Sequence, residues 1–272
     1  MTDTFDWQAK VGDLWAAEWQ RTDRSFTELS GHLLTAILAR APDSGRAIDI
    51  GCGAGETAIG LARAKPGLKI TGIDLSADLI DVAQARMGDD DNLQFLHGDA
   101  VSAVSKHAPV DLYTSRHGVM FFDDPAAAFA AFRDAASPGG SMVFSCFRDW
   151  TLNAFACEIA ALTDGVAPKA GAPGPFAFAD KDEVADMLKA SGWHHIEAEA
   201  VDFAYIAGQG DDPVGDAMSF MQRIGPASRA IADAAEDKRL ALIDGLHRIC
   251  EKYRQGNAVL LPAAAWIWSA TA

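Results

Sequence analysis

Ala47-Ile48-Asp49-Ile50-Gly51-Cys52-Gly53-Ala54-Gly55-Glu56-Thr57 decides how the rest of the 272-residue chain is read. The first four residues are a short, mostly apolar run, the pattern of a buried strand. Three glycines then alternate with small residues, and a helical pattern follows over residues 57–64. Glycines let the chain turn tightly and let a ligand approach the backbone with no Cβ in the way. The helix that follows offers free N–H groups at its start. Strand, glycine loop and helix together form a nucleotide-type crevice. The spacing is G-x-G-x-G, and Glu56 stands where the dinucleotide fingerprint G-x-G-x-x-G needs its third glycine. A carboxylate there would repel a pyrophosphate, so the loop suits a ligand without phosphates.

Outward from the loop, the alternation continues. Strand patterns occupy residues 68–73, 92–97, 110–115 and 141–147, separated by mostly helical segments. Ser76 stands as a helix N-cap. Asp124-Pro125 reads as a cap with proline at the first helical position. Ser137-Pro138-Gly139-Gly140 is a turn leading into the strand over residues 141–147. Such alternation signals a parallel sheet covered on both faces. Asp74 ends the second strand about twenty residues beyond the loop, where an acid accepts hydrogen bonds from ribose hydroxyls. Gly98-Asp99-Ala100 ends the third strand, and Asp99 can accept from an adenine amino group.

The ordered set resembles the class I S-adenosylmethionine-dependent methyltransferases over residues 45–147. It comprises Asp49-x-Gly51-x-Gly53-x-Gly55, Gly72-Ile73-Asp74, Gly98-Asp99-Ala100, and the Ser115–Phe122 stretch followed by Asp123-Asp124-Pro125. The resemblance implies S-adenosyl-L-methionine as cofactor. Its cofactor-binding set here is Asp49, Gly51, Cys52, Gly53, Gly55, Asp74, Leu75, Asp99, Ala100, Ser115 and Arg116. Gly51 and Gly53 would contact the methionine part, bordered by Ser115 and Arg116. Asp74 would meet the ribose, and Asp99 with Ala100 the adenine. Asp49 would brace the loop or pair indirectly with the amino group. The implied fold is α/β: a Rossmann-like, seven-stranded, mostly parallel sheet with an antiparallel last strand, helices on both faces and an inserted helical cap. Residues 194–206 and 259–270 supply the remaining strand patterns.

The organisation expected is an N-terminal helical lid (residues 1–41), a cofactor-binding core (42–150), and a remainder of the sheet (151–272). Helical insertions at about 151–179 and 207–257 would form an acceptor cap. Trp7, Val11, Leu14, Trp15, Ala16 and Trp19 share a helical face, and a second helix runs from near Ser25 to Arg40. Trp15, Trp19 and Arg21 are candidate lid contacts, because aromatic faces attract a sulfonium as they attract ammonium; ordinary core packing is the plainer reading. Phe176, Phe178, Met218, Phe220, Met221, Trp266 and Trp268 are either pocket wall or core. His117 lies where an acceptor would approach and is a candidate general base, the plainer alternative being a packed ring. Relatives often carry phenylalanine directly after the arginine, so His117 sets this chain apart.

The formal net charge of −15 opposes nucleic acid and anionic membrane surfaces as partners. The four cysteines are scattered without zinc spacing, and no metal is called for. The N-terminus lacks the pattern of a signal peptide, and no apolar run reaches the ~20 residues of a membrane span. A cytoplasmic enzyme acting on a small-molecule acceptor is expected, with no indication of its oligomeric state. The alternatives are a non-catalytic binder of S-adenosylmethionine or S-adenosylhomocysteine, a nicotinamide oxidoreductase, which Glu56 opposes, and a methyltransferase acting on protein or nucleic acid.

Overall fold

The computed structural model describes residues 10–163 and 172–272. Trp7, the side chain of Val11, Gly171 and the end of the helical pattern over residues 151–166 lie outside the described residues.

Each strand of the first half is apolar enough to be buried on both faces, as a parallel sheet requires. β1 (Gly45–Ile50) is buried from Ala47 to Ile50, including the carboxylate of Asp49. It lies between β2 (Leu68–Asp74) and β4 (Val110–Arg116), parallel to both. β3 (Leu93–His97) flanks β2, and β5 (Ala136–Phe147) flanks β4, again in parallel. The chain returns through β8 (Ala258–Thr271), antiparallel to β5 and to β6 (His194–Gln209). The order is β3-β2-β1-β4-β5-β8-β6. This matches the expected mostly parallel sheet with an antiparallel last strand. An eighth, two-residue strand, β7 (Arg254–Gln255), folds back on the start of β8.

The helices begin where their caps place them. α4 (Glu56–Ala64) follows the glycine loop, α5 (Ala77–Met87) starts where Ser76 Oγ accepts the Leu79 N–H, and α6 (Ala100–His107) follows Asp99. α7 (Pro125–Ala135) opens with Asp124 accepting from Ala127 N and Pro125 at its first turn. The N-terminal segment forms three helices where sequence periodicity suggests two: α1 (Lys10–Ala17), α2 (Trp19–Ser25) and α3 (Thr27–Arg40). Breaks at Glu18 and Phe26 turn Trp15, Trp19 and Phe26 towards the sheet's carboxyl edge. α3 packs against α4 and against β5 and β6 through Leu29, Leu33 and Ile37.

β5 starts earlier than expected. Ala136 already pairs with Val110, and Leu112 pairs with Ser141, so the expected turn over residues 137–140 is a bulge inside the strand. Gly139, at φ +76°, supplies the left-handed residue that lets it form. Beyond β5 lie α8 (Ala154–Leu162), α9 (Lys181–Ala190), α10 (Pro213–Met221), α11 (Pro226–Asp233) and α12 (Glu236–Lys252). α10 packs on β6, and α11 and α12 pack on α8. Phe178, Phe220, Met221 and Trp268 are core residues, each at most 5% exposed.

Candidate functional site

The sheet order reverses at β1, whose neighbours β2 and β4 lead away in opposite directions. At such a point the loops leaving adjacent strands diverge and open a crevice at the carboxyl ends. A cavity of about 390 Å³ lies there. Its lining comes from the ends of β1 to β4, from the N-terminal helices, and from Phe147 and Pro175.

The glycine loop forms the cavity's floor. Gly51 and Gly53 sit at φ +60° and +53°, a region L side chains disfavour. A Cβ on Gly51 would come within 2.9 Å of Gly118 Cα, whereas one on Gly53 would meet nothing within 4 Å. Gly51 therefore permits close backbone approach within the protein, and Gly53 leaves open space for a ligand. The loop is stitched to β2 by Cys52 N donating to Ile73 O at 3.1 Å and Gly53 N donating to Asp74 Oδ2 at 2.8 Å. Burial pushes the Cys52 thiol up, so it offers no nucleophile.

The carboxylates of the site are held by backbone. Asp74 Oδ1 also accepts from Ser76 N at 2.9 Å. One N–H on each oxygen leaves lone pairs for a ribose, since an ionised carboxylate accepts about four hydrogen bonds. Burial raises the Asp74 pKa from its usual value. Asp99 combines two tasks: it caps α6 by accepting from Ser102 N at 2.6 Å, and it lines the cavity beside Ala100. Asp49 is 1% exposed. Its Oδ1 accepts from the Thr114 hydroxyl at 2.9 Å, while Oδ2 is buried without a hydrogen-bond partner. Desolvation pushes its pKa up to about 7. A buried carboxylate oxygen beside a cavity and without a donor is a natural counterpart for a ligand's ammonium group.

Ten of the residues expected from sequence line the cavity: Asp49, Gly51, Cys52, Gly53, Asp74, Leu75, Asp99, Ala100, Arg116 and His117. Gly55 and Ser115 stand behind it. Gly55 caps α4 at φ +85°, and a Cβ there would lie 2.6 Å from the Phe95 ring. Ser115 is fully buried; its Oγ donates to Ile50 O at 2.7 Å and accepts from Gly118 N at 3.1 Å. Both shape the loop from outside.

Arg116 is committed to protein partners. Nη2 pairs with Asp23 at 3.0 Å, and Nη1 pairs with Glu56 and donates to Ser30 Oγ at 2.9 Å. Asp23 also holds Arg86 at 2.7 Å, and Arg86 donates to Ala54 O at 2.6 Å. This network ties α2 to the glycine loop, α5 and β4. Arg21 and Arg24 pin the same helix to Asp216 at 3.2 and 2.6 Å. Trp15 and Trp19 do line the cavity, and the Arg86 guanidinium lies over the Trp19 ring at 3.9 Å; Arg21 does not line it.

His117 has φ +61°, held there as β4 ends, with its N–H donating to Ser145 O at 3.2 Å. Its ring lies 4.1 Å from Phe147 and 5.2 Å from Phe26. Nδ1 faces the Ser145 hydroxyl at 3.3 Å, while Nε2 is buried without a partner. Burial pushes its pKa down to about 3, so the ring is neutral at physiological pH.

The rest of the wall escaped sequence reasoning: Phe26, Met120, Phe121, Phe122, Phe147 and Pro175. They come from four separate stretches, and only the Ser115–Phe122 motif drew notice to three of them. No residue of the 207–257 segment lines the cavity. Among the described residues no group of histidines, cysteines and acids could hold a metal. Nor is any helix long and apolar enough to cross a membrane.

Comparison with known proteins places this geometry. Residues 47–140 match the family model of a methyltransferase domain. A demethylmenaquinone methyltransferase of Staphylococcus aureus (strain JH9) is 29% identical over 99 residues, covering 36% of this chain and 41% of that protein. The match thus spans less than half of that curated relative. YcgJ of Bacillus subtilis shares the fold at TM-score 0.56 and 18% identity, covering 89% of this chain and 98% of the other. Phosphoethanolamine N-methyltransferase 2 of Haemonchus contortus, solved in complex with S-adenosyl-L-methionine, does so at TM-score 0.50 and 18% identity, over 88% and 52%.

Proposed function

We propose that this chain, which carries a methyltransferase domain over residues 47–140, is a class I S-adenosylmethionine-dependent methyltransferase acting on a small-molecule acceptor. One observation supports this most: the glycine loop, the acids ending β2 and β3, and Asp49 border one cavity at the point where the sheet order reverses. The residues present fit S-adenosylmethionine. Gly53 leaves room at the loop, Asp49 Oδ2 suits the ammonium, Asp74 keeps lone pairs for ribose hydroxyls, and Ala100 with Asp99 borders the adenine end. When bound, this cofactor supplies a methyl group on a sulfonium, which is already a good leaving group.

The protein's work is then alignment, which is worth about 7–11 kcal/mol when two reactants are held in register. The loop and Asp74 fix one reactant. Phe26, Phe147 and the segment 117–122 fix the other and keep water out. The helices over residues 10–40 act as the lid, latched by Asp23 between Arg86 and Arg116. His117 is a neutral wall group whose low pKa makes it a poor store for a proton, so we assign it positioning of the acceptor and no base role. A cytoplasmic setting is consistent with the scattered free thiols.

The test is turnover. Purified protein given S-adenosylmethionine and a panel of small acceptors should release S-adenosylhomocysteine only when a suitable acceptor is present. Tight cofactor binding with no release across the panel would favour the non-catalytic binder instead.

A further inference from the structure

We propose that the acceptor is a neutral, largely apolar ring compound, and that this site selects against phosphorylated and carboxylated acceptors. The inference rests on the methyl-transfer reading and adds the chemical class of the second substrate.

Charge carries the first half of the argument. Six aspartates line the cavity: Asp23, Asp49, Asp74, Asp99, Asp123 and Asp124. Arg116 is the one lysine or arginine among the described lining residues. Its guanidinium is 15% exposed and already satisfies Asp23, Glu56 and Ser30. Arg86 is likewise held, by Asp23 and Ala54 O, and stacked on Trp19. Asp49, Asp74 and Asp99 belong to the cofactor end and Asp23 is paired with both arginines, so an anionic acceptor would meet Asp123 and Asp124 with no protein cation free to receive it among the described residues, the costly case for a buried charge. Recognition of a phosphate or carboxylate ordinarily uses an arginine fork presented to the ligand; here both forks face inward to the protein.

The wall supplies the second half. Phe26, Phe147, Phe121, Phe122, Met120 and Pro175 present rings and apolar faces. His117 sits between Phe26 and Phe147 at ring distances of 5.2 and 4.1 Å. Its depressed pKa leaves it uncharged, so it adds a polar edge without attracting an anion. Flat rings stack well on such surfaces. A cationic acceptor would be drawn to the aspartates but would face the sulfonium across the same small cavity, which favours a neutral one.

Three probes of one shape test this at pH 7.5 on the protein saturated with sinefungin, an S-adenosylmethionine analogue whose amine keeps a positive charge where the sulfonium would sit: 4-phenylphenol, 4-phenylbenzoate and 4-phenylbenzylamine. Calorimetry or ligand-observed NMR should show saturable binding of the phenol, at least tenfold tighter than the carboxylate and the amine. Equal or tighter binding of either charged probe, or no binding of the phenol, overturns the acceptor class while leaving the cofactor reading intact. Absence of sinefungin binding in the loading step sinks the cofactor reading itself. In Asp23→Asn, Arg116 keeps only Glu56 as a carboxylate partner, so the gap between phenol and carboxylate should narrow severalfold; an unchanged gap would contradict the part played by the neutralised arginine.

Discussion

The two ends of the cavity are built by different means. The cofactor end is made of backbone and short carboxylates within one continuous stretch, residues 49–100, and hydrogen bonds between neighbouring strand ends hold each part. The acceptor end is made of side chains from α2–α3, the β4 exit, the end of β5 and the loop near Pro175. Contacts between residues distant in sequence bring those four together: the Asp23–Arg116 ion pair, the His117 N–H on Ser145 O and the Gly174 N–H on Met120 O, besides packing. The first end is a local device that recurs wherever the same motif is written. The second depends on how the whole chain folds, so it is free to differ between relatives that share the first. The family-model match over residues 47–140 accordingly covers the first end whole and, of the second, only the β4 exit.

Changes at the two ends should separate cleanly. The largest effect belongs to Asp74→Asn, which keeps the shape but removes the charge behind its hydrogen bonds. S-adenosylhomocysteine binding should weaken about a hundredfold, the ~2.7 kcal/mol expected of charge-assisted bonds lost in a partly buried site. Calorimetry would show it, and an affinity within threefold of wild type would remove Asp74 from the cofactor site.

Next comes pH. Free Asp49 titrates near 7 because burial disfavours its charge. A ligand ammonium stabilises the ionised form, so the pKa falls on binding and a proton is released. Cofactor affinity should therefore rise with pH, about tenfold at most between about pH 6 and about pH 8. At saturating cofactor, kcat should show no arm near the ordinary histidine pKa, because His117 stays neutral down to about 3. A kcat inflection near 6.5 that disappears in His117→Asn would restore the general-base role.

At the acceptor end, Phe147→Leu keeps most of the volume and loses a ring contact worth about 1 kcal/mol. The KM for acceptor should rise about fivefold while cofactor affinity holds within twofold. Parallel losses in both would mean that the ends are not separate.

The smallest effect concerns stability. The raised pKa of Asp49 means that the folded state prefers the proton, so its contribution is favourable below the unfolded carboxylate value and is lost as pH rises through 7. Asp49→Asn should raise Tm by about 2–4 °C at pH 8, what ~1 kcal/mol is worth in a chain of this size. At pH 5, nearer the unfolded carboxylate value, the gap should shrink markedly. A lower Tm for the variant at pH 8 would mean that Asp49 supports the fold rather than the ligand.

The sequence was most legible where function is local. Strand patterns, the caps at Ser76 and Asp124, and the spacing from Gly51 to Asp99 each follow from rules acting over a few residues. The second tasks of the same residues were not visible: Asp99 capping α6, Gly55 clearing Phe95, Ser115 bracing Ile50 and Gly118. The Asp99 cap is local, to Ser102, and was hidden by the residue's ligand role; the last two need a partner distant in sequence or a φ angle. The acceptor wall was missed for the same reason. Phe147 reads as an ordinary strand residue until the fold sets it 4.1 Å from His117. Trp266 and Trp268 have equal aromatic character but fall on β8, behind the sheet edge that opens the cavity. Arg116, expected to border the methionine part, lines the cavity and is also paired with Asp23, 93 residues away, a partner no local pattern reveals.

A calorimetric titration of the purified protein, run in parallel with S-adenosylhomocysteine and with NAD⁺, tests the assignment most directly. The account predicts one saturable site for the S-adenosyl ligand, weakened about a hundredfold in Asp74→Asn, and no binding of the dinucleotide. Binding of NAD⁺ with no response to S-adenosylhomocysteine would contradict it.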